Sequence, residues 1–240
     1  MPHINKKRPN TRLQIIQLAA KCFIEDGYTA TTVKGIAKEL DLSPGNITFY
    51  FPSKEHMLAV LVDELFDFQN LLMEQEAAEG ASSLLAYCLE LTTIAAVCEE
   101  NPVAKDFYLS AYTSPMTLEL IRENDTEKTR SVFERYQPDW KESDWRAIEN
   151  IVSGIEYATI ATSEKDTPLP KQIECALDAI MRLYGVPAEL RKQKIEKVLA
   201  LDYRALGRRI LGDFRAYIEK VNEENLKKAV RAKKSHKKTV

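Results

Sequence analysis

Ser43, Asn46, Thr48, Tyr50 and Lys54 stand close together around a single small residue, Gly45, with Thr31 and Thr32 a short distance upstream. This is a set of hydroxyl, amide and ammonium groups suited to recognition and not to bond breaking. An asparagine amide can pair with both edge groups of an adenine, a threonine methyl can pack on a thymine methyl, and a glycine lets the backbone approach closely. Hydroxyls and an ammonium suit phosphate oxygens, which take half or more of the hydrogen bonds between protein and DNA. Thr31, Thr32, Tyr50 and Lys54 fit that positioning role, and the face from Ser43 through Pro44, Gly45, Asn46 and Thr48 to Phe49 fits base reading. Each has a plainer alternative: the threonines as caps, Tyr50 as a core aromatic with a wet hydroxyl, Lys54 as a surface charge.

Other chemistry finds little support. Cys22, Cys88, Cys98 and Cys175 occur singly on apolar helical faces with no CxxC pair, which predicts reduced core thiols. His3, His56 and His236 lie far apart. No nucleophile–base pair, phosphate loop or metal-ligand spacing is visible, so the sequence predicts no metal, no cofactor and no enzyme.

The elements that must hold these groups are short helices. From Thr11 to Glu25 the apolar residues Ile15, Ile16, Ala19, Ala20 and Phe23 form one stripe at helical spacing, and Gly27 ends it. Thr31 or Thr32 can cap a second helix whose Val33, Ile36, Ala37 and Leu40 share a face. After a tight connection at Asp41 and Leu42, Ser43 is a good N-cap and Pro44 fits the first helical position of a third helix running to about Tyr50. Two short helices joined by so short a turn outline a helix-turn-helix. A bundle of short helices that merely pack is the alternative.

Charge is distributed to match. The 240 residues carry 34 Lys and Arg against 36 Asp and Glu, a formal net charge of −2. The excess of positive charge sits at the ends, in residues 1–56 and again in residues 227–240, around an acidic middle. Lys6, Lys7, Arg8 and Arg12 could reach a neighbouring groove or backbone. The opening segment is polar and amphipathic, unlike a secretory leader, and the most apolar stretch, Leu84 to Cys98, is too short to span a bilayer. A cytoplasmic protein without membrane contact is expected.

The run Thr31-Thr32-Val33-Lys34-Gly35-Ile36-Ala37-Lys38-Glu39-Leu40-Asp41-Leu42-Ser43-Pro44-Gly45-Asn46-Ile47-Thr48-Phe49-Tyr50-Phe51-Pro52-Ser53-Lys54-Glu55 resembles the N-terminal signature of the TetR family of transcriptional regulators (TetR/AcrR type). The family pattern joins a Thr-Thr helix start, an Ile-Ala core, a Ser-x-Gly turn, an aromatic cluster and a Ser-Lys-Glu helix opening. Thr48 stands where the family often has tyrosine, and that tyrosine's contact does not carry over. The resemblance implies a DNA-binding head at 1–52 and a helical ligand-binding and dimerising body at 53–226, in keeping with the all-α class that the helical periodicity predicts, while the charge run at 227–240 predicts a basic tail without fixed structure. The resemblance also implies a repressor that binds double-stranded DNA at a near-palindromic operator as a homodimer and is released by a small-molecule effector.

Downstream, proline and glycine break the chain into helices near 53–78, 82–99, 102–112, 115–135, 143–163 and 168–184, followed by one or two more from 188. The small residues Gly154, Ala158 and Ala161 share a helical face; by resemblance this helix and the next, with Ile173, Leu177 and Ile180, would join a twofold mate. Packing within the chain explains the same row. By resemblance an effector cavity lies in the bundle, and Tyr87, Phe107, Tyr108, Tyr112, Phe133 and Tyr157 are its candidate walls, with Arg122, Glu90 and Glu156 as candidate polar contacts. A helical protein-interaction module that keeps the helix-turn-helix only as structure is the rival from another class.

Overall fold

A computed structural model describes residues 11–78, 82–162 and 167–236. Among the described residues the chain is helical with no strand: α1 (Thr11–Glu25), α2 (Val33–Glu39), α3 (Pro44–Tyr50), α4 (Lys54–Ala78), α5 (Ser83–Glu100), α6 (Pro102–Thr113), α7 (Pro115–Phe133, closed by a 3-10 turn), α8 (Glu142–Ala161), α9 (Leu169–Leu183), α10 (Ala188–Leu199) and α11 (Tyr203–His236).

Local chemistry explains the boundaries. Gly27, at φ +101°, closes α1 with its N–H on the Cys22 carbonyl. Thr32 and Ser43 cap α2 and α3, and the turn between these helices passes through Asp41 at φ 54°, a left-handed conformation that aspartate tolerates better than most residues. Asn101 accepts from the N–H groups of Val103 and Ala104 to start α6, and prolines occupy the first helical positions of α6 and α7.

Helix α5 is the axis of the body. It packs against α4, α6, α7, α8, α9, α10 and α11, and its buried residues run from Leu84 to Cys98 around the whole circumference. A helix apolar on all sides must be surrounded, and in this fold it is surrounded by protein. No helix of the described residues is long and apolar enough to cross a membrane.

Two hydrophobic clusters result. One joins α1, α2, α3 and α4 to Phe107, Ala111 and Ile121, and to Phe214 and Ile218 of α11. The other gathers α5, α8, α9 and α10 around Phe133, Trp145 and Tyr184. The core of the head therefore does not close at residue 52 but runs on into α6, α7 and α11.

The last helix corrects one expectation. Residues 227–236, read as part of a structureless tail, continue α11 to His236. The segment Leu226 to His236 holds no glycine or proline, only residues a helix tolerates well, and its lysines and arginine lie toward the C-terminal end, where the helix dipole favours cations. Residues 237–240 lie outside the described residues. The cysteine expectation holds for Cys88 and Cys98, which are buried with thiols pushed up to about 12 by that burial. Cys22 is half-buried, and Cys175 is exposed on the outer face of α9.

Candidate nucleic-acid interface and ligand cavity

Only Ile47 of α3 is buried; Ser43, Pro44, Gly45, Asn46, Thr48, Phe49 and Tyr50 all face outward. Phe49 is 80% exposed and meets the Tyr50 ring edge-on at 5.1 Å. A reciprocal capping box fixes the helix start. Asn46 N–H donates to Ser43 Oγ at 3.2 Å, while Asn46 Oδ1 accepts from the Ser43 N–H at 3.2 Å and its hydroxyl at 2.8 Å. The Asn46 carbonyl oxygen is thus engaged, and bidentate pairing with adenine requires the cap to open. Thr48 Oγ donates to the Gly45 carbonyl at 3.3 Å.

The flanking groups are tied more firmly than their sequence suggests. Thr31 is buried and its hydroxyl donates to the Gly27 carbonyl at 2.7 Å. Thr32 accepts from Gly35 N–H at 3.0 Å. Lys54 Nζ donates to the carbonyls of Tyr28 at 2.8 Å and Thr31 at 2.9 Å and lies 4.0 Å from the Tyr28 ring centroid. Burial lowers the Lys54 pKa, with Asp106 opposing. Lys54 therefore pins the start of α4 to the loop before α2. Asp106 of α6 holds the same loop from the body side, accepting from Thr29 N–H at 2.7 Å and from the Thr29 hydroxyl. Arg12 sits over the Phe51 ring at 4.9 Å; Lys6, Lys7 and Arg8 lie outside the described residues.

In the body, a cavity of about 40 Å³ opens where the two clusters meet. Val62, Leu65 and Leu91 make it apolar, and Tyr87, Tyr108 and Tyr112 line it as expected. Its polar wall is a network across five helices. Lys128 of α7 bonds Glu90 of α5 at 2.6 Å and lies 3.5 Å from Asp125; Gln69 of α4 donates to Glu90 at 2.9 Å; Tyr112 donates to Glu156 of α8 at 3.0 Å and Tyr87 does so at 3.4 Å. Burial raises the Glu156 carboxyl well above the usual range, helped by Asp125 and Glu149. Burial likewise lifts Glu149 to about 8, with Asp125 adding to it.

The other expected wall residues are elsewhere. Phe107 belongs to the cluster under the head. Phe133 stacks on Tyr184 at 4.2 Å within the second core, and Tyr157 is on the surface, 39% exposed. Arg122 donates to Ser153 at 3.1 Å beside an open polar groove. Asp125 and Lys128 were missed because α7 reads as a polar, solvated helix; only partners on α5 and α8 reveal that this face is interior.

The residues named for a twofold interface divide sharply. Gly154 and Ala158 are exposed, with Ala161 half-buried, beside Ile151, which is 52% exposed. Ile173, Leu177 and Ile180 are fully buried in this chain's own core, packed with Tyr184 and Met181. They cannot meet a mate; the apolar stripe of α9 faces inward and its outer face is polar.

Residues 15–61 match the pattern described as "Bacterial regulatory proteins, tetR family". That stretch of the chain, α1 to the start of α4, is similar to the family's DNA-binding pattern. Among curated relatives, it is 36% identical over 80 residues to the uncharacterized HTH-type transcriptional regulator YuxN of Bacillus subtilis (strain 168), covering 33% of this chain and 28% of YuxN. It is 31% identical over 127 residues to the HTH-type transcriptional regulator HbdR of Aromatoleum sp. (strain CIB), covering 50% and 54%. The chain thus spans about half or less of the length of these relatives. In structure it is similar to FadR of Thermus thermophilus, a TetR-family transcriptional repressor solved with lauroyl-CoA, at TM-score 0.51 and 18% identity over 71% of this chain and 93% of that one. That likeness is one of fold.

Proposed function

We propose that this protein is a ligand-responsive transcriptional repressor that grips operator DNA with α3 and is released by a small molecule. The exposed face of α3 carries the reading. A seven-residue helix that gives a single side chain to the core is not there for packing, and its outward surface of hydroxyl, amide and aromatic groups suits a major groove. Thr32, Ser43, Thr48 and Tyr50 are then the accessible polar contacts. Lys54 holds the frame and has one further donor for a phosphate.

Two such heads read a near-palindrome when two chains pair. The outward face of α8, with Ile151, Gly154, Tyr157 and Ala158, is the proposed surface for that homodimer. The head at 1–52 and the body from 53 are the working division, with no catalysis assigned to either.

Helix α4 is the proposed transmitter. Its Gln69, Leu65 and Val62 line the cavity, and its first residue, Lys54, holds the loop before the helix-turn-helix. The two ends are about 22 Å apart at 1.5 Å per residue. The cavity is far smaller than the ~300 Å³ or more a drug-sized molecule needs, so an effector must spread α4 from α5 and α7 to enter. An effector with an apolar body and a polar end would meet the Glu90–Lys128 network. It shifts the DNA equilibrium only through its differential affinity for the spread state.

The test is fluorescence anisotropy on DNA from upstream of the gene and on scrambled DNA, each titrated across salt. Tight, salt-sensitive binding to the upstream DNA is expected. Binding that ignores both salt and sequence would instead support a protein-interaction module.

A further inference from the structure

The polar network behind the cavity contains a group of side chains that the repressor reading does not use. Glu149 of α8 is fully buried. Its Oε2 accepts from the Tyr184 hydroxyl at 2.9 Å and lies 3.4 Å from the Thr129 hydroxyl, whereas its Oε1 has no hydrogen-bond partner at all. A buried carboxyl oxygen without a hydrogen-bond partner is costly. Glu149 also presents an oxygen within 4.8 Å of carboxylate oxygens of Asp125 and Glu156, these three lying within that distance of one another. The nearest ammonium, Lys128, is shared with Glu90 at 2.6 Å and only reaches Asp125 at 3.5 Å.

We propose that Asp125, Glu149 and Glu156 form a binding site for a hard divalent cation such as Ca²⁺ or Mn²⁺. The donor set is all oxygen, without histidine or cysteine, which selects hard cations over zinc or copper. Oxygens up to 4.8 Å apart are bridged by a cation with ligand distances of about 2.3–2.6 Å. The Tyr87 and Tyr112 hydroxyls on Glu156, and those of Tyr184 and Thr129 on Glu149, orient the ligands from outside. Asp125 and Glu156 line the cavity, which provides an entry path, and Glu149 closes the site from behind. The bound cation ties α7 to α8 and gives the Glu149 carboxyl, whose Oε1 has no hydrogen-bond partner, a further interaction. This site goes beyond the repressor reading and does not depend on it.

The experiment titrates Tb³⁺ into the full chain after treatment with a chelator, following emission excited through tyrosine. Three tyrosine hydroxyls contact or approach the ligating glutamates, so bound Tb³⁺ is sensitised. The expected result is saturation at one ion per chain, displacement by Ca²⁺ or Mn²⁺, and at least a tenfold loss of affinity in both Glu149→Gln and Asp125→Asn. Circular dichroism confirms that each variant is folded. Independently, Ca²⁺ or Mn²⁺ raises the melting temperature of the unmodified protein. Absence of saturable emission, emission unchanged in both variants, or no thermal shift in the unmodified protein overturns the site. Neither readout involves DNA, so failure of operator binding leaves this result standing, and failure here leaves the repressor reading standing.

Discussion

Polar side chains serve different ends in the α2–α3 turn and in the interior of the body. In the turn, Thr32 and Ser43 satisfy backbone groups three residues away, and Asn46 answers Ser43 in return. In the body, Glu90, Glu149 and Glu156 take partners from helices 20 to 69 positions away in sequence. Local bonds shape one helix end and cost little when lost, because water can replace them. The long-range bonds hold buried carboxyl groups and the Lys128 ammonium away from water, where an unmet polar partner costs about 1–3 kcal/mol and an unmet charge more. The surface proposed to meet DNA rests on short local bonds, and the proposed effector chamber rests on long-range bonds among buried polar groups.

Removing the Lys128 ammonium from the chamber tests that contrast most severely. Lys128→Met leaves Glu90 and Asp125 facing each other without compensation and should destabilise the fold by about 3–5 kcal/mol, measured by urea unfolding. A loss under about 1 kcal/mol would mean that solvent reaches the network.

Acidity tests the same chamber without a mutation. Burial raises the folded pKa of Glu149 to about 8 and lifts that of Glu156 as well, so the folded chain keeps protons that the unfolded chain releases near the ordinary carboxylate pKa. This contribution is fully present below the unfolded pKa and is lost as pH rises through the folded one. The melting temperature in chelator should therefore fall between pH 5 and pH 8, and Glu149→Gln should flatten that slope.

In the head, Lys54→Ala removes two charge-assisted bonds to carbonyls and should cost about 2 kcal/mol of stability. It should weaken binding to operator and scrambled DNA alike. Selective loss on the operator would reassign Lys54 to base reading. The smallest effect is expected for Ser43→Ala, about 1 kcal/mol for a lost N-cap. Asn46→Ala separates capping from recognition: lower stability with unchanged operator preference would make Asn46 a cap alone.

The same contrast explains what could be read from residues alone. The spans of α1, α2 and α3, the Ser43 cap and the proline-marked breaks were legible because their causes lie within a few positions. Tyr87, Tyr108, Tyr112, Glu90 and Glu156 were legible as types that suit a polar-lined cavity. Asp125 and Lys128 were not, since a buried charge on an otherwise polar helix looks like a solvated one until its partners are known. Ile173, Leu177 and Ile180 were misassigned for a related reason: an apolar stripe looks the same whether it covers its own core or a second chain. Thr31 and Lys54 read as free contacts, and only the folded loop shows their bonds to Gly27, Tyr28 and Thr31.

Helix α11 closes against both halves. Gly207 brings it so near α5 that a Cβ there would lie 2.9 Å from the Thr93 carbonyl oxygen, and Phe214 and Ile218 complete the cluster under α1, while Arg215 reaches the Ile24 carbonyl at 3.3 Å. During synthesis, α1 leaves the ribosome about 190 residues before the side chains that cover it, an interval set by positions 24 and 214. A nascent chain halted before α11 carries a complete helix-turn-helix sequence on an unfinished core. The hydrophobic cluster beneath the helix-turn-helix is thereby completed only once α11 has been made, long after the helix-turn-helix itself.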